Sequence, residues 1–235
     1  LLGPLGALLA GDPADELRLI GVTGSNGKTT RAPWCAEVLA EGGECAGVVT
    51  TLGARVGSRQ RGTRLTTPEA PELHALLRWM RDEGATSAVV EASSIALDVG
   101  RVDGVQVQVA VFTGFEEDHL DHHGTLEQYW ASKALLFRPD RADSAVVVVD
   151  GPWGRRLADQ VEVPVTRVAT TAEVAADVRV LRWRTGTEGT TLLLADDAGL
   201  HRVRSPLVGQ VHVATSPRPG RPVAPWGWTP RRSPP

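Results

Sequence analysis

Lysine is almost missing from this chain. Of its 25 basic residues only Lys28 and Lys133 are lysines, and the other 23 are arginines. Wherever a positive charge alone is needed, the sequence uses arginine. The two exceptions fall in its most motif-like stretches, Gly24-Ser25-Asn26-Gly27-Lys28-Thr29-Thr30 and Trp130-Ala131-Ser132-Lys133-Ala134. Arginine stays protonated, whereas a lysine is a compact ammonium whose amine can also lose its proton and react. Lys28 therefore reads as a phosphate-binding point charge, and Lys133 as a second position where amine chemistry matters. A genome rich in G and C explains the arginines but not where the lysines fall.

Other scarcities exclude whole classes of function. The two cysteines, Cys35 and Cys45, have neither metal nor redox spacing, which leaves reduced thiols in a cytosolic protein. A net charge of −3 gives no bulk attraction to nucleic acid or membrane. The apolar opening, residues 1–10, is too short to span a bilayer, and no basic residue precedes it. It lacks a starting Met, so the chain reads as cut from something longer, with residues 1–16 a linker remnant.

What is present is a strand-helix rhythm. Residues 17–22 read as a strand running into the glycine-rich loop, with a helix over 28–40 that tolerates Pro33 near its start. A second strand covers 45–52. Leu73, Leu76, Leu77 and Met80 mark the buried stripe of a helix over 68–83, stopped by Gly84. Strands follow at 87–92 and 107–113, a capping box of Thr125 and Gln128 opens a helix to about Phe137, and residues 145–150 form a buried strand. The alternation predicts an α/β fold with a mostly parallel sheet flanked by helices. Short strands at 178–183, 190–196 and 200–203 predict a small antiparallel sheet at the edge. From residue 213 onward a Pro/Arg-rich tail, without an acidic residue, cannot build a core and is expected to be disordered.

The glycine-rich loop follows a strand and opens a helix, as a phosphate loop requires. Backbone N–H groups and the helix N-terminus face the anion, Lys28 reaches the terminal phosphates, and the Thr29 hydroxyl can hold Mg²⁺. No other lysine or nearby arginine is placed to replace Lys28. Val22 stands where the strict pattern has its first glycine, and Gly21 and Gly24 flank it. A second constellation lies at other strand ends. Glu91 closes one strand and precedes Ser93 and Ser94, and Asp118-His119-Leu120-Asp121 lies beyond another. Carboxyl ends of parallel strands converge on the ligand crevice. Mg²⁺ suits Glu91 together with substrate phosphates, and His119 is a less usual ligand. His122 and His123 read as solvated loop residues. Zinc at the run from Asp118 to His123 is the lesser reading, given no cysteine there and a phosphate loop beside it.

Six short motifs then occur in order: the loop from Thr23 to Thr30, Thr66-Thr67-Pro68-Glu69, Glu91-Ala92-Ser93-Ser94, Val111-Phe112-Thr113, Asp118 to Gly124, and Ser132-Lys133. Together they resemble the central ATPase domain of the Mur ligases, MurE type, over roughly residues 1–212, with the incomplete domain itself at 17–212. Folylpolyglutamate synthetases share the loop and fold. The resemblance implies an ATP-dependent ligase of peptidoglycan precursor synthesis, cytoplasmic and monomeric. Such an enzyme adds a diamino acid, meso-diaminopimelate or lysine, to UDP-N-acetylmuramoyl-L-alanyl-D-glutamate. ATP phosphorylates the terminal carboxylate and the incoming amine attacks the acyl phosphate. By that resemblance Gly24, Ser25, Asn26, Gly27, Lys28, Thr29 and Thr30 hold ATP. Thr66, Thr67, Ser93 and Arg101 contact the nucleotide-peptide substrate. Thr29, Glu91 and His119 hold Mg²⁺, and Lys133 falls where the family has a carbamylated lysine serving a second Mg²⁺. Lys28, Lys133 and His119 are the implied catalytic set.

The sequence departs from the family at Ile95, where His is usual, and at Gly114, where Asn is usual, followed by the acidic pair Glu116-Glu117. The family's N-terminal and C-terminal domains have no counterpart in these 235 residues. Near Gly209-Gln210-Val211-His212 the chain still resembles the family before turning into its tail. Two expectations follow: a ligase of this type, or a truncated, catalytically incompetent remnant that binds nucleotide.

Overall fold

The computed structural model describes residues 1–187 and 189–205. The expected tail from 213 onward and the stretch near Gly209 lie outside them. Helix α1 (Leu2–Ala10) and a 3₁₀ turn (Pro13–Asp15) precede strand β1 (Arg18–Thr23) and helix α2 (Lys28–Glu41). Three strands follow, β2 (Ala46–Thr50), β3 (Gly53–Val56) and β4 (Arg59–Arg61), then helix α3 (Ala70–Asp82) and strand β5 (Ser87–Glu91). Next come α4 (Ser94–Asp98), β6 (Val109–Phe112), α5 (Leu120–His123) and α6 (Leu126–Ala134), which ends in a 3₁₀ turn over Leu135–Phe137. The chain continues through β7 (Ala145–Val148), α7 (Pro152–Gln160), β8 (Val165–Ala169), β9 (Val178–Gly186), β10 (Gly189–Asp196) and β11 (Gly199–Ser205).

All eleven strands join one sheet in the order β11-β10-β9-β8-β7-β6-β1-β5-β2-β3-β4. The centre from β2 to β9 is parallel, and each flank closes with antiparallel pairs. The fold is thus the expected α/β type with antiparallel strands at its edge. The antiparallel strands at the far edge continue the main sheet, because β8 pairs in parallel with β9 and carries the ladder across. Strand β1 sits between β5 and β6, and the chain winds outward from it in both directions. That switch of direction opens a crevice at the carboxyl end of β1.

Alternation on β5 explains how both faces are covered. Val89 joins Val22 and Val48 beneath Ala32, Ala36 and Leu39 of α2. Ala88 and Val90 turn the other way, to Leu73, Leu77 and Met80 of α3. Pro33 lies at the sixth position of α2, beyond the first turn, and removes the N–H that the Thr29 carbonyl would receive.

Residues 1–16, expected as a linker remnant, are folded onto the domain. α1 packs on α3, with Gly3, Gly6, Ala7 and Ala10 buried. A Cβ at Gly3 would stand 2.2 Å from the Asp103 carbonyl oxygen, so only glycine permits that approach. No helix among the described residues is long and apolar enough to cross a membrane.

Candidate active site

The glycine-rich loop spans the gap between β1 and α2. Gly24 has φ 149°, and a Cβ there would lie 1.9 Å from Thr113 Oγ1, so the loop can press against the end of β6 only without a side chain. Gly27 adopts the left-handed conformation (φ 79°) and turns the chain into α2, whose first residue is Lys28. The helix N-terminus therefore opens into the crevice.

The chain's two lysines converge on one atom. Lys28 Nζ donates to the Gly24 carbonyl at 2.9 Å and to the Ser25 carbonyl at 3.1 Å. Lys133 Nζ, from α6, donates to the same Gly24 oxygen at 2.9 Å. Lys133 is 1% exposed. Burial, with the neighbouring Lys28 charge, pushes its pKa down to about 7, against the pull of Asp118. Burial lowers Lys28 as well, opposed by Glu91 and Asp118. Two ammonium groups at one carbonyl repel, and the more enclosed one loses its proton more readily.

Thr29 Oγ1 donates to Glu91 Oε1 at 2.9 Å and stands 3.1 Å from Oε2. The Thr51 N–H donates to Glu91 Oε2 at 3.3 Å. Glu91 is 2% exposed, and burial raises its pKa although Thr29, Lys28 and Thr51 all favour the carboxylate. The structure therefore brings Lys28, Thr29, Glu91 and Lys133 around the loop. His119 lies on the segment beyond β6, exposed and in the left-handed region (φ 53°). It makes no hydrogen bond to Thr29 or Glu91, and its ring stands edge-on to Tyr129 at 6.0 Å. Asn26 and Thr30 are exposed, and Asn26 Nδ2 donates to Glu116 Oε2 at 2.5 Å.

The four residues read as substrate contacts divide. Thr67 is fully buried, and its hydroxyl donates to the Glu91 carbonyl at 2.7 Å and accepts the Ser93 N–H at 3.0 Å. These bonds tie Thr67 to the end of β5. Ser93 caps α4, accepting from the Ala96 N–H. Thr66 shares a hydrogen bond with Thr51 at 2.9 Å, and Arg101 pairs with Glu69 at 2.8 Å.

Sequence reasoning missed two groups. Tyr129, the chain's single tyrosine, is fully buried. Its hydroxyl lies 3.0 Å from Ser25 Oγ and its ring carries Lys133 Nζ at 4.3 Å from the centroid. The i, i+4 spacing of Tyr129 and Lys133 on the predicted helix was the available signal. Arg31 lies beside the loop and is buried. Its Nη1 donates to the Thr113 carbonyl at 2.9 Å and the Asn26 carbonyl at 3.3 Å. A cavity of about 270 Å³ with Asn26, Arg31, Thr113, Glu116, Asp150 and Trp153 in its walls adjoins the loop. His123, expected in solvent, is 6% exposed. Desolvation lowers its pKa, because α5 tucks the ring against α4 and α6.

Comparison with known proteins gives these residues a family. Residues 22–215 match the model of the Mur ligase middle domain. The chain is 45% identical over 178 residues to a UDP-N-acetylmuramoyl-L-alanyl-D-glutamate–2,6-diaminopimelate ligase of Corynebacterium glutamicum, covering 74% of this chain and 34% of that protein. The ligase of the same name from Xanthomonas oryzae pv. oryzae is 40% identical over 215 residues, 90% of this chain and 43% of its own length. A solved structure bearing that enzyme name superposes with a TM-score of 0.81 at 29% identity, over 91% of this chain and 45% of the other. Folylpolyglutamate synthase of Mycobacterium tuberculosis, solved with ADP and AMPPCP, shares the fold at TM-score 0.70 and 20% identity. The chain thus spans well under half the length of the curated relatives it matches. It belongs to the Mur ligase family, and its matched residues are that family's middle domain.

Proposed function

We propose that this chain is the ATP-binding part of a cytoplasmic amide ligase. The enzyme joins a diamino acid to UDP-N-acetylmuramoyl-L-alanyl-D-glutamate, with 2,6-diaminopimelate favoured by the names of the relatives. The observation that supports it is the convergence of both lysines on the Gly24 carbonyl beside Thr29 and the buried Glu91. The donor set fits Mg²⁺, because a hydroxyl and a carboxylate lie side by side and hard oxygen ligands suit that ion. Thr29 and Glu91 would hold it, with His119 and a carbamylated Lys133 as further ligands. When bound, it would neutralise charge on the terminal phosphates.

The chain's own groups do the rest. Lys28 and the N–H groups at the start of α2 hold the phosphates of ATP. Thr66, Ser93 and Arg101 face the nucleotide-peptide, while Thr67 and Tyr129 hold their neighbours in register. An oxygen of the substrate carboxylate bonds to the terminal phosphorus and ADP leaves. The amine nitrogen then bonds to the acyl carbon, loses a proton, and inorganic phosphate departs. With its pKa lowered to about 7, Lys133 has at neutral pH a large fraction of the free amine, whose electron pair attack on carbon dioxide requires; arginine stays protonated.

Calorimetry with a non-hydrolysable ATP analogue and Mg²⁺ tests the reading. Lys28→Ala should weaken binding roughly a hundredfold, the worth of a charge-assisted contact of about 2–3 kcal/mol, with melting temperature unchanged or raised. Equal affinity in the two proteins contradicts the assignment.

A further inference from the structure

A second cluster of ligand-type side chains sits where the end of α4 meets α5. Asp98 closes α4, and His122 and His123 close α5. One ligand atom from each lies within 4.8 Å of the others. His122 Nε2 is 3.2 Å from Asp98 Oδ2, and the two imidazole rings meet edge to face with centroids 4.7 Å apart. His123 is buried and held at both nitrogens, by Ser94 Oγ at 3.0 Å from Nε2 and Ser132 Oγ at 3.3 Å from Nδ1. Ser132 Oγ also stands 3.4 Å from Asp98 Oδ1. The proposed ligase chemistry uses none of the three ligand residues.

We propose that Asp98, His122 and His123 bind a late first-row divalent metal ion of the Zn²⁺ class, tying α4 to α5. Two imidazoles and one carboxylate are a known zinc donor set that leaves a position for water. Mg²⁺ prefers oxygen ligands, so the site discriminates against the ion suited to Thr29 and Glu91. Ser94 and Ser132 supply the outer partners that orient a ligating imidazole: His123 gives one nitrogen to the metal and keeps one serine. The Asp98 and His122 side chains are 47% and 35% exposed, so an ion has a route in. The ligands come from two helices: His122 and His123 end the run that begins at Asp118, and Asp98 of α4 completes the set.

The test uses the full chain without an affinity tag. Zn²⁺ alone is titrated by calorimetry and Co²⁺ by visible absorption, with His122→Phe and Asp98→Asn alongside. Wild type should bind one Zn²⁺, melt at higher temperature when loaded, and show the strong d–d bands of a low-coordinate Co²⁺ site. Each variant should weaken binding by more than the roughly 10- to 100-fold that loss of an outer partner costs. Both variants should keep wild-type affinity for the ATP analogue, which separates failure here from failure of the nucleotide reading. The proposal is overturned if wild type binds no Zn²⁺. It is overturned equally if both variants bind Zn²⁺ as wild type does, as a site at Cys35, Cys45 or His201 would produce.

Discussion

The cations at the centre of the sheet and those on its β9–β11 edge carry the same sign in opposite surroundings. Lys28 and Lys133 are enclosed at the carboxyl end of β1, and both have lowered pKa values. Arg179, Arg182 and Arg184 on β9, with Arg202 and Arg204 on β11, are exposed. The edge has its own small core of Val180, Leu192, Leu194 and Val203, so its arginines serve as the solvated face of an amphipathic ladder. Water screens such charges and leaves them interchangeable. Enclosure removes that screening and turns charge into chemistry.

Substitutions at the centre and the edge should therefore differ in size. The largest effect belongs to Gly24→Ala, whose added carbon meets Thr113 Oγ1 at 1.9 Å in a backbone conformation that suits glycine. A loss of about 2–4 kcal/mol in chemical denaturation and loss of nucleotide binding are expected. An unchanged midpoint would mean that the loop is not pressed against β6.

Next comes the pH dependence. The folded pKa of Lys133, about 7, lies below its ordinary 10.5. Between those values the unfolded chain binds a proton that the folded chain does not, so stability rises with pH. Below about 7 both states are protonated and the full cost of the buried charge remains. Lys133→Met should remove this slope, on the order of 2 kcal/mol between about pH 7 and about pH 9. The Cys35 thiol, pushed by burial up to about 11, acts with the opposite sign only above its ordinary 9.0. Urea denaturation of both proteins across that window measures the difference, and parallel curves would refute it.

Tyr129→Phe removes the hydroxyl at Ser25 and keeps the ring under Lys133. About 1 kcal/mol of stability should go, with nucleotide affinity a few-fold weaker by calorimetry. At the edge, Arg182→Ala should stay within about 0.5 kcal/mol of wild type and leave nucleotide affinity untouched. A loss at Arg182 as large as at Tyr129 would erase the distinction between centre and edge.

The centre was more legible than the edge because its signals are local. The loop from Gly24 to Thr30 reads from strand, glycines and lysine within one stretch, and Glu91 reads as the close of a valine-rich strand. Partners distant in sequence were invisible. Residues 1–16 looked like a linker because the groove that receives Gly3 is made by Asp103. β8 was missed because its residues are mostly half-buried and show neither alternation nor an apolar run. Asp98 and His122 are 24 residues apart, and no period links them. Thr67 read as a substrate contact because a hydroxyl near a strand end can face either ligand or backbone, and its bonds to the Glu91 carbonyl and the Ser93 N–H join residues more than twenty positions apart.

Because the chain has only two lysines, lysine labelled with ¹³C at Cε gives two signals, and Lys133→Met assigns them. A pH titration of the folded protein then reads the central claim directly. The account predicts that the Lys133 signal titrates near 7. A Lys133 midpoint near the free-amine value of about 10.4 would contradict it and leave Lys133 an ordinary cation.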